Sequence, residues 1–467
     1  MIKTIAKSQK PISVGMLSLG CPKTLVDSEL VLGKLNPDQF KITTNMTDCD
    51  VAVLNTCTFI QEAKQESIDK IIELVELKKA GRIKGLVVLG CLFQRYSKTL
   101  QKEFREVDAF LGTGEYDKIE TVFSELAQRK KLYKTNSQKP IISIGSPGYV
   151  YSAENPRVAL TPKHFRYVKI SEGCDHICTF CSIPSFRGKH RSRPIHDIVK
   201  EIEQLAEDGA REVILTGQDT SFYGRDLTGK YILPELLKEL NKIDGIEWLR
   251  VLYLYPSCVN EAMIQAIADL PKVCNYLDMP LQHISERMLL AMKRGVAKDR
   301  TLRLINQIRK TIPGVAIRTT FIVGFPGETD RDFDELLEFM SDTRFERLGI
   351  FTYSQEDGTP AGDMGEQVPE EVKRERFDRA MQLQQTISRK NNQKLIGRDF
   401  NILVDGQSDD GSGIFYGRSE MDAPDVDGMV YLHSTKGPKH PKIKPGDFVR
   451  ARVTDAKEYD LTAELIK

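Results

Sequence analysis

Arg166-Tyr-Val-Lys-Ile-Ser-Glu-Gly-Cys-Asp-His-Ile-Cys-Thr-Phe-Cys-Ser182 is the stretch on which the fold turns. Arg166–Ile170 reads as a strand. The array after it places Cys174, Cys178 and Cys181 in a C-x3-C-x2-C spacing, with no fourth cysteine nearby. A cluster iron or a metal held by three protein ligands keeps one coordination position open, and an open position is where a substrate or cofactor binds. Two blander readings stand beside this one. The thiols could be small buried hydrophobes, or a Cys3His zinc site could use His176 or His190. Zinc more often joins two C-x2-C pairs, and no second pair is present, so the spacing favours an iron–sulfur cluster.

Working outward, the strand is the first of a series. Glu212–Thr216, Trp248–Tyr253, Tyr276–Asp278, Ile317–Val323 and Arg347–Phe351 follow as strand candidates with helical stretches between them. Six βα units predict an open or partial TIM-like (β/α)6 barrel over 158–390. Active residues then belong at the carboxyl ends of the strands, where the cysteine array also lies. Pro369 starts a long trailing helix whose apolar face is Phe377, Ala380, Leu383 and Ile387.

Upstream, residues 12–128 alternate in the same way. Ser13–Leu19, Asp50–Leu54 and Gly85–Leu89 read as buried strands and Gln61–Leu77 as an amphipathic helix, a parallel βαβ sheet. Cys21, Cys57 and Cys91 each lie directly after one of these strands. In a parallel sheet those ends line one crevice, so three thiols at equivalent positions favour convergence on a second cluster over three separate buried cysteines, the better reading for any one of them alone. Residues 129–157, with Pro140, Gly145, Pro147, Gly148 and Pro156, read as a linker. Residues 393–467 carry short strands broken by Gly and Asp and read as a small antiparallel, OB-like β-barrel. Cys49, Cys258 and Cys274 show no equivalence of position and read as structural.

The chain of 467 residues is 40% hydrophobic and 28% charged, and its 67 Lys+Arg nearly balance 66 Asp+Glu, so global charge names no polyanion partner. The amino terminus lacks an apolar secretory core, and no apolar run reaches the length of a membrane span. Nine cysteines in such a chain favour metal use over disulfides, and the expected compartment is the cytoplasm.

The array Cys174-x3-Cys178-x2-Cys181, with an aromatic at Phe180 and a βα series around it, resembles the radical SAM superfamily. The resemblance implies a 4Fe-4S cluster on these thiolates whose open iron chelates S-adenosyl-L-methionine, leading to a 5′-deoxyadenosyl radical. Thr216–Gly224 falls where that superfamily binds the methionyl amine, with Gly217-Gln218 replacing the common Gly-Gly-Glu. The glutamine carbonyl can still accept the amine's hydrogen bond. Phe321–Glu328 resembles the strand that packs on adenine, which implies Phe180 and Gly324 beside that base. It lacks the Gly-Lys-Ser/Thr ending of a phosphate loop. Asp278, Gln282, His283 and Arg318, at or near strand ends, are candidates for ribose, carboxylate or substrate contacts, with core or solvated roles equally open.

The order of domains resembles the radical SAM methylthiotransferases: a three-cysteine domain, a radical SAM barrel and a TRAM barrel. Ser18–Glu29, Ile183–Gly188 and Gly417–Gly428 resemble the branch acting on an aspartate of ribosomal protein S-12 in the small subunit, although Thr24 stands where that branch usually has Asn. The resemblance implies two 4Fe-4S clusters, the auxiliary one on Cys21, Cys57 and Cys91 carrying sulfur. It implies no catalytic residue beyond the cluster ligands. One S-adenosyl-L-methionine methylates the sulfur, and a second yields the radical that takes hydrogen from the aspartate β-carbon. A reducing electron donor is required.

The related branch acting on tRNA isopentenyl-adenosine shares this plan, and a metal-containing RNA-binding factor is the non-enzymatic alternative. Charge separates them. Residues 391–467 hold 11 Lys+Arg against 13 Asp+Glu, a net of −2, whereas RNA-binding modules are usually basic. An acidic barrel suits a basic ribosomal protein better, and Glu420, Asp422, Asp425 and Asp427 form a local acidic run, with merely solvated loop charges as the bland alternative. The basic set Lys436, Lys439, Lys442, Lys444 and Arg450 leaves an rRNA contact open.

Overall fold

The computed structural model describes residues 11–132, 139–408, 413–433 and 443–466. The chain divides into two compact units, Met1–Leu160 with Ser182–Lys189, and Thr161–Cys181 with His190–Lys467.

In the first unit a sheet runs in the order β2-β1-β3-β4-β5-β6. Its strands are β1 (Ile12–Ser18), β2 (Phe40–Thr43), β3 (Val51–Thr56), β4 (Gly85–Gly90), β5 (Ala109–Leu111) and β6 (Ile141–Ser143). All pairings are parallel. Every residue of β3 and β4 is buried, as central parallel strands covered on both faces require. Val53, Val87 and Leu89 face one core and Ala52, Leu54, Leu86 and Val88 the other. The stretch 129–157, read as a linker, is not wholly a connector. The apolar Ile141 and Ile142 pair with the free edge of β5, and Tyr151 is buried.

In the second unit β7 (Phe165–Lys169), β10 (Glu212–Thr216) and β11 (Trp248–Val251) form one parallel sheet. A second contains β12 (Tyr276–Asp278), β13 (Ala316–Val323) and β14 (Arg347–Thr352). The bridge Leu249–Val273 and the bond from Leu254 N to Asp278 O, 2.8 Å, join β11 to β12. The result is an open (β/α)6 series in sequence order, as expected. Between β7 and β10 a two-residue antiparallel ribbon, β8 (Ser171–Glu172) with β9 (Arg191–Ser192), brackets the cysteine loop. Apolar helix faces such as Ile198, Ile202 and Leu205 cover the strands.

The carboxyl-terminal strands are β15 (Asp399–Gln407), β16 (Phe415–Arg418), β17 (Val430–His433), β18 (Phe448–Ala456) and β19 (Leu461–Leu465). They close a barrel in the order β15-β16-β17-β19-β18. It is not purely antiparallel: β17 and β19 run parallel. An odd number of strands around a closed ring cannot alternate direction throughout, so one parallel pair is required.

Ion pairs seam this barrel to the amino ends of the parallel strands. Glu212, fully buried, accepts from Arg250 at 2.7 Å and Arg418 at 2.6 Å. Asp422 takes the Arg347 fork at 2.5 and 3.0 Å, while Asp427 accepts from Tyr276 Oη at 2.7 Å and lies 3.5 Å from Arg318. Glu420 accepts from Asn275 N at 3.3 Å. The expected acidic surface is therefore corrected: of the four acids only Asp425 is exposed, because Asp422 and Asp427 pair with Arg347 and Arg318 and Glu420 accepts from a backbone N–H. Lys436, Lys439 and Lys442 lie outside the described residues; Lys444 and Arg450 are exposed.

Candidate metal centres

In the first unit each cysteine begins where a strand ends. Cys21 caps helix α1 (Pro22–Gly33), Cys57 follows β3, and Cys91 opens helix α3 (Cys91–Glu103), which comes after α2 (Gln61–Lys79). Two glycines let these ends approach. Gly20 has φ +97°, and a Cβ there would lie 2.8 Å from Cys57 Cβ and 3.0 Å from its sulfur. At Gly90, φ +102°, a Cβ would meet Asn55 Oδ1 at 2.2 Å. The Thr24 hydroxyl accepts from Cys21 N at 3.0 Å and lies 2.7 Å from Leu19 O, so the residue that departs from the family pattern fixes the Cys21 turn. Ser67 Oγ accepts from Cys57 N at 3.0 Å.

The three thiols sense one another electrostatically. Burial pushes Cys91 up to about 12, Arg187 opposes, and the charges of Cys57 and Cys21 add to the rise. Burial and the Cys21 charge also raise Cys57. For Cys21 burial works upward too, but Lys23, nearby backbone N–H groups and Arg187 outweigh it and leave the thiol below its ordinary value. Arg187 lies on the short helix Ile183–Arg187 and donates to Cys91 Sγ from Nε at 3.2 Å and Nη2 at 3.1 Å.

In the second unit the loop after β8 carries Cys174, Cys178 and Cys181. Thr179 anchors it: its N donates to Met292 O at 3.1 Å and its hydroxyl to Ala291 O at 2.8 Å. Arg294 Nη1 donates to Cys178 Sγ at 3.4 Å, and its guanidinium lies 4.1 Å from the Tyr255 ring centroid. Burial, with Asp219 and the other two thiols adding, raises Cys174 far above its ordinary value against a lowering backbone bond at His176. Phe180 packs against the cluster of Cys178, Tyr255 and Cys258 and against that of Met288, Met292, Phe325, Tyr353 and Ala361, which Ile322 also borders, so it links the surroundings of the cysteine loop to those of the Gly324 strand.

Gly217 and Gln218 follow β10. The Gln218 Oε1 is buried without a hydrogen-bond partner, while its Nε2 lies 3.5 Å from Glu172 Oε2. Ser171 Oγ and Thr216 Oγ1 are also buried and unpaired. A Cβ at Gly217 would approach Ser171 Oγ to 2.6 Å. Unsatisfied buried oxygens are costly in a finished core and suit a ligand that brings its own N–H groups. Gln282 adopts φ +75°, unusual for its type, while its backbone pairs with Thr320 and Ile322 at 2.8 Å each.

The other candidates have partners within the fold. Arg318 donates to Asp278 Oδ1 at 2.9 Å, and the other Asp278 oxygen accepts from Tyr253 N at 3.0 Å. Both residues also reach the seam with Asp427. His283 is bound to Glu328 at 3.1 Å. Gly324 has φ +73°, and a Cβ there would meet Lys373 at 2.3 Å.

Both histidines weighed for a zinc site are engaged at Nε2. His176 pairs with Asp219 at 2.6 Å and stacks on Tyr255 at 3.6 Å, and His190 pairs with Ser192 at 3.0 Å. Among the described residues, His176, Asp219 and Cys258 bring three possible ligand atoms within 4.8 Å, and that proximity includes the His176–Asp219 hydrogen bond. Zinc more often joins two C-x2-C pairs, and neither trio offers a second pair. The residues present thus fit iron–sulfur clusters. Sequence reasoning missed Glu172, Tyr255, Arg294, Cys258 and Arg187. Glu172 is flagged by adjoining the cysteine loop and Arg187 by lying within Ile183–Gly188; Tyr255, Arg294 and Cys258 carry no local signal.

Comparison with known proteins agrees with this geometry. The radical SAM superfamily model matches residues 168–340, that of uncharacterized protein family UPF0004 residues 13–112, and the TRAM domain model residues 396–466. A ribosomal protein uS12 methylthiotransferase RimO from Desulforamulus reducens is 46% identical, with 97% of this chain and 99% of that one covered. Those from Citrifermentans bemidjiense and Clostridioides difficile are 47% and 44% identical, each over 97% of this chain and 98% and 99% of theirs. Among solved structures, the radical S-adenosylmethionine methyltransferase TsrM from Kitasatospora setae matches with a TM-score of 0.54 and 16% identity, covering 76% of this chain and 75% of that one. That likeness speaks to the fold alone.

Proposed function

The chain belongs to the ribosomal protein uS12 methylthiotransferase (RimO) family, and we propose from that membership how its own residues carry out the reaction. It is a radical SAM enzyme that methylthiolates uS12, with two 4Fe-4S clusters and S-adenosyl-L-methionine as cofactors. When bound, these groups supply electrons, a methyl group and hydrogen abstraction.

Cys174, Cys178 and Cys181 hold the radical-generating cluster, and Cys21, Cys57 and Cys91 the auxiliary one. The functional division is 12–128, 158–390 and 393–467, with 129–157 between the first two. Gln218 Oε1 accepts from the methionyl ammonium, and Glu172, beside it, adds a carboxylate whose charge is shared with Lys169. Phe180, Ile322 and Phe325 make the apolar wall against which a purine stacks and water is excluded. Arg294 holds Cys178 and Tyr255 in place. The target atom is the β-carbon of a uS12 aspartate on the small ribosomal subunit. That places the work in the cytoplasm, with a reducing electron donor and with Lys444 and Arg450 available to nearby rRNA.

The observation that carries this reading is the presence of two separate thiol trios, each at carboxyl ends of parallel strands. One trio alone fits many radical reactions; an unactivated C–H bond needs a radical, while sulfur needs a carrier of its own. The test offers anaerobically reconstituted protein uS12-containing ribosomes on one side and tRNA on the other, with mass spectrometry of each. A methylthio increment on uS12 is expected. Modification of tRNA alone would overturn the substrate, and zinc in place of iron would overturn the chemistry.

A further inference from the structure

The first unit contains a segment that is remote in sequence from the rest of it. Ser182–Lys189 belongs to this unit, although the residues on both sides belong to the other. Within it, Pro184 lies in the first turn of the short helix and Gly188, φ +75°, ends it. The Thr113 hydroxyl donates to Phe186 O at 2.6 Å and ties the segment to the loop after β5. The side chain thereby positioned is Arg187. Its Nη1 donates to Asp27 Oδ2 at 2.8 Å, while Nε and Nη2 both point at Cys91 Sγ. Asp27 is 0% exposed and Arg187 4%.

A guanidinium stays protonated even when buried. Asp27 balances its charge, so a second anion is not needed for neutrality. Two donors of one rigid fork are nevertheless spent on one sulfur, and a neutral thiol is a poor acceptor. Cysteine binds iron as the thiolate, and a thiolate sulfur accepts such a fork far better than a neutral thiol does. Hydrogen bonds to ligand sulfur and nearby positive charge both favour the state with the added electron.

We propose that Arg187 is a positioning residue for the auxiliary centre: its two N–H bonds to Cys91 orient that ligand and raise the reduction potential of the cluster on Cys21, Cys57 and Cys91. This rests on the functional reading above. The reaction concerned is a one-electron reduction of the bound cluster in which no protein bond forms or breaks.

The test uses full-length chain with Cys174, Cys178 and Cys181 replaced by Ala, so that one cluster remains. Arg187→Met and Arg187→Lys are made in that background. Iron and sulfide are counted, and the midpoint potential is measured by redox titration followed by electron paramagnetic resonance. The parent, Lys and Met proteins should each hold about four irons. The potential should fall in the Met variant and lie between the two in the Lys variant. A full iron count with an unmoved potential in Arg187→Met would overturn the proposal. If the Met variant loses its iron, Arg187→Lys decides: a lowered potential supports the assignment and an unchanged one overturns it. A parent that binds no iron on its remaining trio would sink the functional reading, and this inference with it.

Discussion

The two cysteine trios solve the same problem by opposite routes. Cys174, Cys178 and Cys181 are brought together by one short loop, which Thr179 pins to the Met292 turn. Cys21, Cys57 and Cys91 are brought together by a sheet, each at the carboxyl end of its own strand, with Gly20 and Gly90 permitting the approach. The local trio could form wherever its loop forms. The dispersed trio exists only when β1, β3 and β4 are in register, so its geometry is a readout of tertiary structure. Each trio receives an arginine, with one N–H on Cys178 from Arg294 and two on Cys91 from Arg187.

The sharpest way to break the comparison is to remove one trio at a time. A Cys21→Ala, Cys57→Ala, Cys91→Ala protein should still cleave S-adenosyl-L-methionine reductively but transfer no methylthio group, with iron falling from about eight to about four per chain. Loss of Cys174, Cys178 and Cys181 should abolish cleavage itself. Product chromatography and iron analysis check both, and transfer by the first variant would show that the dispersed trio is not a sulfur carrier.

The next effect is on stability. Glu212→Ala leaves buried Arg250 without its carboxylate, while Arg418 keeps Asp405, and should destabilise the second unit by about 3–5 kcal/mol in denaturant titration. The local trio then loses its support from below, although the loop itself is untouched. A smaller effect is expected at the ligand. Gln218→Ala removes the unpaired buried acceptor and should weaken S-adenosyl-L-methionine binding by about 1–3 kcal/mol, or roughly 5- to 150-fold in Kd by calorimetry.

The smallest effect lies under the dispersed trio. Burial would raise the Asp50 carboxyl, but Lys84 at 2.7 Å and Ser13 N and Oγ at 2.9 Å hold it down at about 2. A depressed folded value means the stabilisation is complete above the unfolded value of 3.8 and is lost as pH falls toward 2. Asp50→Asn should therefore flatten the acid side of the unfolding profile between about pH 4 and 2 and leave the neutral plateau nearly level. An unchanged acid slope would remove Asp50 from that account.

The same contrast explains what could be read in advance. The strands of both parallel systems were legible because buried parallel strands leave runs such as Val-Ala-Val-Leu and Leu-Val-Val-Leu. The C-x3-C-x2-C loop was legible because it is local. Cys21, Cys57 and Cys91 became legible only once strand ends were aligned. Asp278 and Arg318 stay open from sequence because a polar residue at a strand end has two possible partners, a ligand or a neighbouring element, and the second belongs to a loop more than a hundred residues away. The same loop absorbed Asp422 and Asp427, which as sequence resemble a solvated acidic run. Arg294 and Tyr255 carried no spacing signal, since they reach Cys178 from different βα loops.

The excursion of Ser182–Lys189 into the first unit also fixes an order of assembly during synthesis. A nascent chain that has reached Leu160 already contains all three dispersed thiols but lacks the guanidinium that faces Cys91. That group emerges only after the ribosome has also made Cys174, Cys178 and Cys181. A fragment cut at residue 160 is accordingly an unfinished unit. Iron delivered before residue 189 leaves the exit tunnel would meet the three thiols before the guanidinium that faces Cys91 has emerged.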